Sequence, residues 1–235
     1  MRNRILAGVG VAALATVGLA APAAADSHDT SAITVVHGIA GVPVDIYLAG
    51  DLDAPLIGEF QPGDIAGPLD LPADTYEFVV VGEGADPTDA ANVIFEPSAT
   101  VPEAGLNITL VAHADTDGNP VLTPFVNNME ETAAGEGRLS VRHTANFGPV
   151  DILAAGDPLD AFSGAENAEG GDIDLPVGTY PAAVAALGET EAAAPTLAAD
   201  VNIQEGVNTL VYAYSNLEGT EFALAVQTIT VGAEG

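Results

Sequence analysis

The chain has 235 residues, 34 of them acidic and four basic, for a formal net charge of −30. A surface of that sign repels nucleic acid and anionic lipid and gathers cations, which excludes polyanion binding. Cysteine is absent, so a disulfide framework, a thiol nucleophile and lipid attachment through a cysteine are excluded as well.

The first stretch, MRNRILAGVGVAALATVGLAAPAAAD, carries Arg2 and Arg4, then an uncharged apolar run, then Ala23-Ala24-Ala25 ahead of Asp26. A charged start, an apolar middle and a small-residue end predict a secretory signal peptide over residues 1–25. Beyond it only Arg138 and Arg142 are basic, and lysine does not occur. Such acidity suits solubility in an ion-rich exterior, where a Debye length of about 8 Å or less screens self-repulsion. No second apolar span follows, so no transmembrane segment is expected after cleavage. The expected location is secreted, extracellular or at the cell surface.

Downstream, apolar runs are short and punctuated by Gly, Pro, Asp and Asn. Ile33–His37, Val44–Leu48, Tyr76–Val81, Leu106–His113 and Val121–Val126 read as strands. Tyr76–Val80 and Asn107–Val111 partly alternate, as half-buried strands do. The pattern then recurs at Leu139–His143, Val150–Ala154, Thr179–Leu187, Val207–Tyr214 and Phe222–Val231. Ala182–Ala186 and Glu191–Ala199 are alanine-rich enough for helix, but the first aligns with strand-like Phe78–Val81, and Pro181 and Pro195 limit any helix.

Sliding the chain on itself brings Ile33-Thr34-Val35-Val36-His37 onto Leu139-Ser140-Val141-Arg142-His143 and Pro43-Val44-Asp45-Ile46 onto Pro149-Val150-Asp151-Ile152. Leu71-Pro72-Ala73-Asp74-Thr75-Tyr76 meets Leu175-Pro176-Val177-Gly178-Thr179-Tyr180, and the block around Asn107 meets that around Asn208. A period of roughly 100 residues is domain-sized. The expectation is therefore all-β: two tandem Greek-key (immunoglobulin/transthyretin-like) β-sandwich domains of about seven strands each, over residues 32–129 and 138–232. A solvated linker over 130–137 joins them.

The repeated residues are the candidate site. His37 and Asp45 flank one Gly/Pro turn, and His143 and Asp151 flank its counterpart. An Asp–His hydrogen bond could lock that turn, or the Asp could orient the His as a base or metal ligand. Catalysis needs a third group, and no Gly-x-Ser-x-Gly, His-Glu-x-x-His or Cys ligand is present. Duplication also suits a folding element better than a single active site, so no catalytic residue is assigned. Tyr76 and Tyr180 open strands after Leu-Pro turns, the layout of a tyrosine corner whose hydroxyl bonds a backbone group a few residues upstream. Asp115, Asp117 and Asn119 are weak calcium candidates; no bidentate Glu follows them, and an Asp-Gly hairpin turn explains the stretch.

The His-turn-Pro-x-Val-Asp-Ile-Tyr block, followed by Gly50, Gly67-Pro68-Leu69-Asp70-Leu71-Pro72 and Tyr76, resembles the secreted bacterial domain of unknown function DUF4397. The resemblance covers about Ala32–Asn128 and Arg138–Val231. It implies an exported, envelope-associated β-sandwich and supplies no reaction, ligand or cofactor. The family's arginine shortly ahead of the histidine is absent here, where Thr34 and Ser140 stand. The expected role is a non-enzymatic binding, adhesion or structural module, without a cofactor, whose partner is a cell-wall or surface polymer or another secreted protein. Two other roles compete: a calcium-dependent adhesion module, and an envelope-glycan hydrolase using Asp45 and Asp151. A glycosidase wants two carboxyl groups roughly 5–10 Å apart across one cleft, which equivalent residues in separate domains fit poorly.

Overall fold

The computed structural model describes residues 29–232, and the expected signal peptide lies outside them. The structure is nearly all β. In the first half the strands are β1 (Thr30–Gly38), β2 (Val44–Leu48), β3 (Ile57–Phe60), β4 (Ile65–Pro72), β5 (Asp74–Gly82), β6 (Val93–Phe95), β7 (Ser98–Val101), β8 (Asn107–Ala114) and β9 (Pro120–Val126). They form one sheet ordered β4-β1-β8-β9 and another ordered β3-β2-β5-β6, with β7 also on β5. Ile33, Val35, Ile108 and Leu110 point from the first sheet onto Val44, Ile46, Phe78 and Val80 of the second. Alternation along each strand delivers these side chains to one face.

The second half holds β10 (Glu136–Thr144), β11 (Val150–Ala154), β12 (Asp157–Pro158), β13 (Glu169–Pro176), β14 (Gly178–Ala186), β15 (Ala198–Ile203), β16 (Val207–Ser215) and β17 (Phe222–Thr230). Its sheets run β13-β10-β16-β17 and β12-β11-β14-β15 around a second core of Leu139, Val141, Ile152, Val184 and Val211. The sheets β4-β1-β8-β9 and β13-β10-β16-β17 correspond position for position, and in the other pair β15 lies on β14 as β7 lies on β5, while β6 has no strand counterpart. The alanine-rich Ala182–Ala186 is strand, paired to β11 and β15, and the only helical turn in the other alanine-rich stretch is a 3₁₀ turn at Pro195–Leu197.

Two expectations need correction. β10 begins at Glu136 and pairs Glu136 with Pro176, so the last two residues of the expected linker belong to a strand. Thr132 within it is buried, its hydroxyl donating to the Glu136 carbonyl at 2.8 Å. The second concerns β8, which is not half-buried: every residue after Asn107 is buried. β1 and β8 pair in parallel, as do β10 and β16, and both faces of these strands are covered, the condition under which strands read as near-continuous apolar runs.

What covers the outer faces is the other half of the chain. Val36 and Val111 meet Leu210, Tyr212 and Tyr214 on β16 and Ala225 on β17, with Ile65 and Phe125 packed around them. Gln227 crosses the seam: its Oε1 accepts from Tyr212 at 2.8 Å and Thr109 at 3.2 Å, and its Nε2 donates to Thr34 at 3.3 Å. The Ala40 amide donates to the Ser215 carbonyl at 3.1 Å, and Asn167 Nδ2 to the Ala114 carbonyl at 3.0 Å. The polar contacts fix the register at which the two apolar faces meet.

Candidate functional site

His37 is the next-to-last residue of β1, buried, and its Nε2 lies 2.8 Å from the Val42 carbonyl on the far side of the turn. A carbonyl only accepts, so Nε2 carries the proton. His143 repeats the contact with the Gly148 carbonyl at 3.1 Å, leaving a buried Nδ1 without a partner. Burial pushes both imidazoles below their usual range, against the pull of those carbonyls. Each is held as a neutral brace across its turn.

The aspartates do not bond the histidines. Asp45 Oδ1 accepts from the Glu59 amide and Oδ2 from the Gly84 amide, both at 2.8 Å. Asp151 does the same with Gly164 at 2.9 Å and Gly188 at 2.8 Å. The Asp45 carboxylate thus ties β3 and the loop after β5 to the start of β2, and the Asp151 carboxylate ties two separate loops to the start of β11. Gly84 and Gly188 present their amides from φ of +72° and +82°, where glycine carries no Cβ penalty. The Gly188 and Gly164 amides hold the Asp151 carboxyl below the usual carboxylate range. With every Asp oxygen on a main-chain amide, neither Asp orients a histidine, and the Asp–His bond expected across the turn is replaced by these two independent clamps.

Tyr76 donates to the Pro72 carbonyl at 3.0 Å and Tyr180 to the Pro176 carbonyl at 2.9 Å. Both rings are half-buried at the rim of their cores. Asp115 Oδ1 accepts from the Asp117 and Asn119 amides at 2.9 and 2.7 Å, and Gly118 turns the β8–β9 hairpin at φ +82°. These amides hold the Asp115 carboxyl low, and they direct it inward across its own loop. Among the described residues no group of three His, Cys, Asp or Glu is placed to hold a metal.

Sequence reasoning missed the arginines. Arg138 and Arg142 are the sole Lys or Arg side chains among the described residues, and both are buried, at 4% and 5% exposure. Arg138 makes a bidentate pair with Asp174 at 2.7 and 3.0 Å, and its Nη1 donates to the carbonyls of Asn128 and Glu130 at the crossing between halves. Arg142 bonds Asp172 at 3.1 Å and the Gly171 carbonyl at 3.0 Å, while its guanidinium lies 5.3 Å from the ring centre of Phe125 on β9. Arginine is rarely buried unless paired, so two lone cations in an acidic chain were the available signal.

A pH dependence follows. His37, His113 and His143 are all held low by burial. As pH falls below about 6.5 the unfolded chain takes up protons that the folded chain refuses, so stability present above that pH is lost progressively. The Asp151 contribution is present above about pH 4 and is lost below it. Melting temperature read by circular dichroism, at salt high enough to screen the acidic surface, is expected to fall between pH 7 and 5 and again below pH 4. A flat profile from pH 7 to 5 contradicts the buried neutral histidines.

Comparison with known families finds a match over residues 31–153 to DUF4397, described as a domain of unknown function. The matched stretch runs from β1 through the first core and across the junction to β11. No curated protein matches. Among the described residues, no helix is long and apolar enough to cross a membrane.

Proposed function

Because the chain belongs to the DUF4397 family, for which no activity is defined, we propose from its own geometry that it is an exported, non-enzymatic module: two tandem Greek-key sandwiches that present loops to a cell-wall polymer or another secreted protein. One observation carries this reading. The polar residues written twice, His37, Asp45 and Tyr76 with His143, Asp151 and Tyr180, all bond main-chain groups of their own half. Chemistry needs such groups turned toward a substrate with atoms to spare; here they brace loops. Rigid elements supporting variable loops are a frequent layout for recognition. The excess of acidic side chains favours partners that are neutral or cationic.

Co-sedimentation of the chain from Asp26 to Gly235 with walls of the producing organism, across salt and with calcium or EDTA, tests the proposal. Saturable binding that survives high salt and is indifferent to EDTA is expected. Binding that disappears with salt alone would reduce it to charge attraction, and binding lost with EDTA would instead favour calcium-dependent adhesion.

A further inference from the structure

The two halves differ at one end of the sandwich, and each serves as a control for the other. His37 and His143 bond the carbonyl five residues on, at Val42 and Gly148, so the intervening turns are equal in length, although Gly41 turns at φ +107° and Phe147 does not hold a positive φ. Gly41 then stands where the second half has Phe147. Pro120 pairs with Ala114 as Phe222 pairs with Ser215, so Pro120 stands in the place of Phe222. In the second half these two rings meet edge to face, with centroids 5.6 Å apart, and pack against the core. In the first half neither ring exists.

Beside Pro120 lies a cavity of about 70 Å³, walled by Val44, Ile46, Val80 and Ala112 and by the His37 ring beside Phe60. A void of about 20 Å³ that shares Ile46, Val80 and Ala112 has a counterpart of the same size in the second half at Val141, Ile152 and Val184, so the larger cavity alone distinguishes the halves. Interiors close-packed like crystals seldom keep voids larger than a water molecule, and apolar cavities stay dry and accept hydrocarbon. At the rim Val42 is 51% and Ile94 40% exposed. Leu217, from the β16–β17 hairpin of the second half, completes the wall, so the site depends on the docked arrangement of both halves.

We propose that this cavity binds the aliphatic end of a small uncharged ligand. An apolar cavity of about 150 Å³ holds benzene; about half that volume takes a short alkyl tip, with the remainder of the chain lying over Val42 and Ile94. His37 is neutral and its one ring N–H is committed to the Val42 carbonyl, so no cation waits for an anionic head group. The net charge of −30 disfavours a carboxylate at the mouth. The proposal stands on the cavity alone, independent of wall binding.

The test is methyl-resolved NMR of the full exported chain titrated with 1-hexanol. Saturable shifts are expected at Val44, Ile46, Val80 and Ile94 and not at Val150, Ile152 or Val184, with hexanoate at least tenfold weaker. Gly41 holds φ +107°, which disfavours any side chain, so the cavity is filled instead with Pro120→Phe or, independently, Ala112→Leu. Either substitution is expected to abolish the shifts while the melting temperature is kept or raised. Equal shifts in both halves, shifts that survive a folded filling variant, or no saturation up to the solubility of the alcohol would overturn the proposal.

Discussion

Truncating Tyr212 to alanine is expected to cost about 3–5 kcal/mol of unfolding free energy, the range for a large aromatic removed from a packed interior. Tyr212 is fully buried, and it lies between the halves rather than within either core. Its loss opens a cavity against Val36 and Val111 and strips one donor from Gln227. Burial pushes the phenol up to about 12, so the hydroxyl remains a donor throughout the neutral range. Tyr212→Phe keeps the ring and is expected to cost only about 1 kcal/mol, the usual net value of one hydrogen bond. Calorimetry should show the parent protein unfolding in one transition, because the seam contains apolar and polar contacts together. Tyr212→Ala should lower that transition and split it. A parent protein that already unfolds in two separate steps would mean that the seam does not couple the halves.

That seam was the least legible feature of the sequence. β2 and β11 were readable to the residue, since each is a short Val/Ile/Leu run between turn formers, and the Leu-Pro blocks located Tyr76 and Tyr180 and put the partners of their hydroxyls a few residues upstream. Edge strands β4 and β13 were legible only at their ends, where Leu71 and Leu175 close a strand ahead of the turn, and not over their range. Their residues alternate with Gly, Pro and Asp and are half exposed, so no local periodicity separates them from loop. Leu110-Val111 reads as part of an ordinary half-buried strand, and Val35-Val36 simply as strand, because the second covering layer comes from residues about a hundred positions away. The continuous apolar character of these runs was the signal of burial on both faces. For Asp45 and Asp151 the spacing showed that a turn was involved, but the partners, Gly84 and Gly188, lie in loops whose approach depends on the completed sheets.

Those clamps support the second large effect. Asp45→Ala and Asp151→Ala each take a charged acceptor from two main-chain amides, at about 1.5–3 kcal/mol per hydrogen bond to a charged group. A loss of roughly 2–4 kcal/mol is expected for each, where surface substitutions usually stay within about 0.5 kcal/mol. Asparagine is the sharper probe. It keeps the shape and one acceptor but turns an NH₂ toward the second amide, so Asp45→Asn sets two donors against each other at Glu59 or Gly84. Glu59 already holds φ of +54°, a conformation non-glycine residues seldom adopt, and the Asp45 bond helps keep it there. Asp45→Asn and Asp151→Asn should therefore destabilise nearly as much as the alanine variants in urea unfolding. The two sites sit in different halves and share no partner, so their effects should add within about 0.5 kcal/mol. A functional carboxylate behaves differently: asparagine would leave the urea midpoint in place and remove binding or activity. The stability loss should come first and account for any loss of wall binding, because both oxygens of each carboxylate already hold the fold.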